Sequence, residues 1–503
     1  MALRAGAACL AAVGLLAGCT LGAPADEEPE VPDSLTGYYA QEVDWEVCVP
    51  EGIECATVLA PLNWADPGSG GVELSIVRLA ADGERLGSLL LNPGGPGISG
   101  VDFVRNSVST QLSDTLRTRY DIVGWDPRGV SRSTPVACLD DDALDHYIYA
   151  FPVNPTGTDA WFDERADAAA EFAAACDEHT GALLGYVDAV STARDMDLLR
   201  ALLGDERLNY LGYSYGTVYG AQYAELFPER VGRVVLDAAV DPSLGVAEQL
   251  TAQAAALEGA FRLFVADCLG VGRCPFSGTV DEALAQARTL FAGVEEQGAQ
   301  SDDGRRLTSA TLGAALAESF YDRSRWSQLR RMIVGLGEGD AGLAFQFADG
   351  RYNRDQNGGY RDNLVAANTS ASCVDGTYTG GLDATRATVA AMDAAAPTVG
   401  RYLAYSDWVH LDTVCQRWPA PSVLSPAPVS ADGAEPIVVV GGTDDAATPY
   451  SASQALALQL ASGVLVTRVG DGHGSYGRGN ACIDAAVDAY LFEGTVPADG
   501  TVC

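Results

Sequence analysis

The chain of 503 residues is long enough for a large core, as one big domain with an insertion or as two domains. Its formal charge is -37, and all 31 basic residues are arginine. That acidity argues against a nucleic-acid backbone as partner but names no substrate, since a solvated acidic surface is its ordinary source.

The N-terminus carries an address. Met1 to Gly18 holds one charge, Arg4, followed by an apolar run from Ala7 to Ala17 that is too short to span a membrane and suits a cleaved export signal. Leu16-Ala17-Gly18-Cys19 resembles the bacterial lipobox, so residues 1–18 are expected to be removed and Cys19 to be lipidated. Residues 19–36 then form an acidic, proline-rich tether. The expected location is the outer face of the cytoplasmic membrane as a lipoprotein, or the medium. No later segment has the length of a membrane helix. Export makes the remaining cysteines readable as disulfides, and their even number fits. Connectivity is formally open; pairing near neighbours gives Cys48–Cys55, Cys138–Cys176, Cys268–Cys274, Cys373–Cys415 and Cys482–Cys503. With no CxxC pair and four histidines, no metal site is expected.

Past the tether, "ECATVLAPLNW" and "GVELSIVRLAA" read as strands. "GSLLLNPGGPGISG" is a short buried strand running into a glycine-rich loop, and "YDIVGWDPRGVSRS" repeats that design. Trp161 to His179 and "STARDMDLLRALLG" read as helices. "LNYLGYS" is a strand, "YGTVYGAQYAELF" a helix ended by Pro228, and "VGRVVLDAAV" a strand. From about Asp241 to Glu435 strand patterning gives way to helices and loops. It resumes with "PIVVVGG", "SASQALALQLAS", "GVLVTRVG" and "ACIDAAVDAYLF" as strand, helix, strand and helix. Alternating strands and helices mean a mostly parallel α/β sheet. The expected plan is an α/β-hydrolase fold, with core residues 37–242 and 434–503 and a mainly helical cap at 243–433.

A GxSxG pentapeptide, Gly212 to Gly216, lies between a predicted strand and a predicted helix. In a glycine-rich chain the pentapeptide alone means little. In that context it marks a nucleophile elbow, where small flanking residues let a tight turn push the Ser214 hydroxyl above the sheet. A serine hydroxyl is a poor nucleophile at neutral pH and needs a base. His146 and His179 precede the elbow and His410 lies in the cap. His473, in the glycine-rich "RVGDGHGSYGRG" after the last predicted parallel strand, stands where the order serine, acid, histidine places the base. The acid belongs after the preceding strand, where "GGTDDAATP" offers Asp444 and Asp445. The backbone N–H of Tyr215 is one expected oxyanion donor, and a second is expected from the "NPGGPG" loop at Gly95.

From about Cys48 to Cys503 the chain resembles the exported tripeptidyl-aminopeptidase-like serine hydrolases of actinobacteria, relatives of proline iminopeptidase. "LLLNPGGPGISG" is similar to that family's oxyanion loop, with Ile98 where glycine is usual. "YDIVGWDPRGVSRSTPVAC" resembles its second loop, with Ser131 replacing a glycine. The stretch from "DMDLLRALLG" to "DAAVDP" resembles the elbow region, "SFYDRSRWSQLRRMIVGLGEGD" and "CQRWP" the cap, and "GTDDAATPYSAS…VGDGHGSYG…C" the acid and histidine region. The last of these places the acid three residues before Thr448, at Asp445.

The resemblance implies hydrolysis of peptides from a free N-terminus, releasing short peptides through an acyl-enzyme on Ser214, without a cofactor. Such action needs an anionic group in the cap for the substrate ammonium, and Asp375 and Glu318 are candidates. The same triad serves esters, so a carboxylesterase or lipase is the alternative. A non-catalytic binding lipoprotein would be expected to lack a triad member, and a transporter's solute-binding protein would not need these loops in this order.

Overall fold

A computed structural model describes residues 32–49, 52–271 and 273–503. The export signal, Cys19 and most of the tether lie outside them. Ten strands form one sheet: β1 (Glu46–Cys48), β2 (Ile53–Pro61), β3 (Gly71–Leu79), β4 (Gly87–Asn92), β5 (Tyr120–Trp125), β6 (Leu208–Tyr213), β7 (Val231–Asp237), β8 (Ile437–Asp444), β9 (Gly463–Asp471) and β10 (Thr501–Val502). Their spatial order is β1-β2-β3-β5-β4-β6-β7-β8-β9-β10. Pairings from β1 to β5 across β3 are antiparallel, and every pairing from β5 onward through β10 is parallel.

The central strands explain why the sequence reads as apolar runs rather than alternation. All six residues of β4 and of β5 are buried, because helices cover both faces of the sheet. The strand period of two still sorts them. Leu89 and Leu91 pack with Ile122, Val104 and Val487 on one face, whereas Leu90 packs with Val123, Met196 and Tyr219 on the other. The "DPRG" turn after β5 is structural. Arg128 donates from Nε and Nη2 to the two carboxylate oxygens of Asp195 at 2.7 and 2.6 Å, in a fully buried pair. Breaking such a pair from one side costs about 3–5 kcal/mol, because a charge is left buried alone.

Between β7 and β8 the described residues form helices and loops and add no strand to the sheet, and these helices build a third core of their own. That core is not made by the insertion alone. Tyr149, Trp161 and Phe162, from helices Asp141–Tyr149 and Asp159–Thr180 between β5 and β6, pack into it beside Phe345 and Tyr402. The cap therefore rests on a platform supplied by the first half of the chain. Five disulfides join Cys48–Cys55, Cys138–Cys176, Cys268–Cys274, Cys373–Cys415 and Cys482–Cys503, the near-neighbour pairs. The last of them ties helix Ala481–Glu493 to β10, a strand that residue patterning did not reveal.

Candidate active site

β6 delivers Ser214 into a turn with φ of +55°, a left-handed conformation that a residue with a side chain adopts only when its surroundings hold it there. Backbone bonds do the holding. The Ser214 N–H donates to the Asp237 carbonyl at 2.9 Å, and the Ser214 carbonyl accepts from the Thr217 N–H at 2.9 Å and its hydroxyl at 2.6 Å. Helix Gly216–Leu226 starts directly below. The flanking glycine has a steric reason: a Cβ on Gly212 would stand 2.6 Å from the Gly216 carbonyl oxygen. Ser214 and Tyr215 line a cavity of about 1000 Å³ between the sheet's carboxyl edge and the cap. Its size suits a peptide-sized ligand.

Gly95 lines the same cavity, in a loop whose close approach depends on Gly94. Gly94 has φ of +90°, and a Cβ there would meet the Tyr213 carbonyl at 2.5 Å and the Tyr215 nitrogen at 2.8 Å. Its own N–H is committed to Asn92 Oδ1 at 2.8 Å. The N–H groups of Gly95 and Tyr215 have no hydrogen-bond partner among the described residues. Two unpaired amides beside a serine are what a developing oxyanion requires. Asp126 steadies the loop's far end, accepting from Ser99 Oγ at 2.5 Å and from the Val101 N–H at 3.2 Å. Gly94→Ala is expected to push the loop outward and lower kcat about 10²-fold, with a smaller change in KM. Steady-state kinetics on any turned-over substrate would check it.

The structure joins His473 to Asp445 rather than Asp444. His473 Nδ1 lies 3.0 and 2.9 Å from the two Asp445 oxygens, and both residues are buried. Asp444, the last residue of β8, instead accepts from the Thr443 hydroxyl. Burial opposes ionisation of Asp445. The charge and hydrogen bond of His473, with the N–H groups of Thr448 and Ala447, outweigh burial and hold its carboxyl below the usual carboxylate range. With Nδ1–H donating to the Asp445 carboxylate, Nε2 of His473 is left with its lone pair. The ring is braced on the cavity side by Tyr321, edge-on at 5.0 Å, whose carbonyl accepts the His473 N–H at 2.9 Å. Tyr321 and Thr448 line the cavity.

Two of the other histidines are structural in their contacts. His410 sits between the Tyr147 hydroxyl at 2.8 Å and the Thr369 hydroxyl at 3.0 Å, and burial pushes it down to about 4, so it stays neutral. His179 Nδ1 lies 2.6 Å from the Cys138 carbonyl. Of the cavity carboxylates, Asp407 is paired with Arg351 at 2.8 Å and Glu318 with Arg325. Asp375 has no basic partner among the described residues. It ends helix Leu364–Asp375 of the cap, accepting from the Tyr215 hydroxyl at 2.5 Å and from the Ala189 N–H at 2.9 Å. Burial, then the nearby Asp188 charge, push its carboxyl up to about 8. Ile98 and the Asn368 side chain also face the cavity, and Asn368 donates to the Pro96 carbonyl at 3.0 Å. Ser131 adopts φ of +47°, where a glycine would be expected, with its N–H held by Asn363 Oδ1 at 2.8 Å.

Sequence reasoning passed over Asp126, Tyr321, Asn368 and Asp237. Only Asp126 and Asp237 left a signal, as acidic residues at the carboxyl ends of apolar strands, where α/β sheets carry their sites.

Residues 401–503 match a family model described as "TAP-like protein". Serine protease Hip1 of Mycobacterium tuberculosis is 33% identical over 99% of this chain and 96% of that protein. Carboxylesterase B of the same organism is 34% identical over 97% of this chain and 96% of that protein. Tripeptidyl aminopeptidase of Streptomyces coelicolor is 30% identical over 92% and 86%.

Proposed function

Because the chain belongs to the tripeptidyl-aminopeptidase-like α/β-hydrolases and is a serine hydrolase, we propose that it releases short peptides, of tripeptidyl type, from the free N-termini of oligopeptides. The observation that carries the reading is Ser214 in its left-handed elbow above the cavity, flanked by the unpaired amides of Gly95 and Tyr215. Ser214 is the nucleophile, His473 the base and Asp445 the acid. His473 Nε2 takes the Ser214 Oγ proton as Oγ attacks the substrate carbonyl carbon. The oxyanion is received by the two amides, and the imidazolium returns its proton to the leaving amine. Water, deprotonated by the same nitrogen, then hydrolyses the acyl-enzyme.

Asp375 is the better placed of the two candidate ammonium anchors, since Glu318 is already paired. A bound ammonium would favour its ionised form. Asp375→Asn is expected to lower kcat/KM for free-amino peptides about 10- to 100-fold, the worth of one charged hydrogen bond, and to spare an ester without an amine. The pH dependence has a sign. Asp375 ionises as pH rises through about 8, while a substrate α-amino group loses its proton near the same value, about 7.7–8.0. Peptide turnover should therefore fall on both sides of that range, with no such fall for the ester.

A carboxylesterase is the second reading, favoured by the relative of that name. Turnover of free-amino tripeptide amides, their N-acetylated forms and p-nitrophenyl esters separates the two, with Ser214→Ala as control. Equal cleavage of blocked and free peptides rejects the aminopeptidase, and ester turnover alone establishes the esterase. We further propose that the protein is exported and lipidated on Cys19. Fatty-acid labelling that persists in Cys19→Ser would overturn this.

A further inference from the structure

We propose that Asp237 is a positioning residue for the reaction: it ties the nucleophile turn to the histidine loop and places a second carboxylate behind His473. This rests on the reading of Ser214 and His473 given above. Asp237 ends β7 at the carboxyl edge of the sheet and is fully buried. Its backbone carbonyl accepts the Ser214 N–H at 2.9 Å, one of the bonds that keep the serine in its left-handed turn. Its side-chain Oδ2 accepts from the N–H groups of Ser475 and Tyr476, both at 2.8 Å, in the loop that carries His473. One residue thus grips both catalytic loops, by its main chain on one side and its side chain on the other.

The second oxygen is the unusual feature. Asp237 Oδ1 is buried without a hydrogen-bond partner among the described residues, and so is the hydroxyl of neighbouring Tyr213. A purely structural acceptor for two amides does not need a carboxylate, since an amide oxygen accepts as well and its nitrogen avoids the bare charge. Keeping an ionisable group there costs stability. What the charge offers is a field at His473, favouring the imidazolium that forms as Ser214 loses its proton. Burial, then repulsion from Asp445, push the Asp237 carboxyl up to about 6, against the amides of Tyr476 and Ser475 and attraction to His473. The two amide N–H groups on Oδ2 favour the ionised form. The ionisable groups around it are Asp445, His473, Tyr213 and Tyr476.

Asp237→Asn keeps the shape and one accepting oxygen but removes the charge. In the full-length protein it is expected to melt at or above the wild-type temperature, because a buried charge is gone. It should also lose about tenfold in kcat with KM unchanged, as expected when a charge stabilising only the transition state is removed. The acid limb of kcat/KM should move to lower pH, since a carboxylate near the ring favours its protonated form. Fluorophosphonate labelling of Ser214 should slow in parallel. Asp237→Ala, which also frees two amides, should lose about 10²-fold. If it fails to fold, Asp237→Asn alone decides. Wild-type kcat and an unmoved acid limb in Asp237→Asn would overturn the inference, as would a lowered melting temperature with unchanged kinetics. Ser214→Ala and His473→Ala are measured alongside: if either stays active, the parent reading of the site falls; if both are dead and Asp237→Asn is unaffected, only the role of Asp237 falls.

Discussion

Ser214→Ala is expected to lower kcat on peptides and esters alike by about 10⁶, the loss seen when a triad serine or histidine is removed from a serine hydrolase. A residual rate on the order of 10³–10⁴ above water should survive, because the amides of Gly95 and Tyr215 and the cavity remain to bind substrate and polarise its carbonyl. The variant should fold normally. The bonds that hold residue 214 run through its backbone N–H and carbonyl, not its hydroxyl. Ser214→Gly sharpens the point. Glycine accepts φ of +55° without steric cost, so this variant should be equally inactive yet more stable, by about 1 kcal/mol. Thermal melts beside active-site labelling read both effects. A Ser214→Ala protein that still forms a covalent adduct would place the nucleophile elsewhere.

Asp445→Asn should cost about 10⁴ in kcat with the fold intact. Asp445 receives the Nδ1–H of His473 and also the N–H groups of Ala447, Thr448 and Gly474. An amide has one accepting oxygen for these donors, and its NH₂ must face either an amide N–H or His473 Nδ1. In the second case Nδ1 becomes the acceptor and the proton moves to Nε2, where it blocks proton transfer from the serine. Stability should respond with a definite sign. The folded-state carboxyl is held below its ordinary value, so its contribution is present above about pH 4, the unfolded value, and disappears as pH falls through the folded one. Asp445→Asn should flatten that part of the acid denaturation curve. Asp444→Asn, at the end of β8 and away from the ring, should leave both kcat and the curve near wild type. Equal losses in the two variants would break the assignment.

The contrast between these adjacent aspartates shows what could be read in advance and what could not. The elbow was legible because its signals reinforce each other: a β-strand, glycines demanded by contacts under 3 Å, and a helix directly after. His473 was legible from chain order. Which aspartate faces it was not, since neighbouring residues at a strand end point to opposite sides and one-residue register is invisible in composition. Residue patterning alone left both open, and the family resemblance chose Asp445. The cap was legible as helices but not as a shape. An amphipathic helix announces that it has a buried face without saying against what. Hence the contribution of Tyr149, Trp161 and Phe162 to the cap core emerged only in three dimensions. Asp375 carried no local sign that its partners are Tyr215 and Ala189, far away in the chain. The shortest disulfides were simpler, because Cys48–Cys55 and Cys268–Cys274 close segments that local structure already brings together.

Helix Leu364–Asp375 has a consequence for anyone wishing to rebuild this enzyme. Asn368 reaches the glycine-rich loop at Pro96, Asp375 reaches the turn at Tyr215, and Cys373 fastens the helix to Cys415. Caps are attractive modules to exchange among relatives, because the chain enters and leaves them at two points, after β7 and before β8. Here a graft cut only at those points would bring a foreign cap against the native loops at Pro96 and Tyr215 and native residues 141–180. A working chimera must transplant matched partners from three separate stretches of sequence, so substrate range in this scaffold is inherited as a set rather than residue by residue.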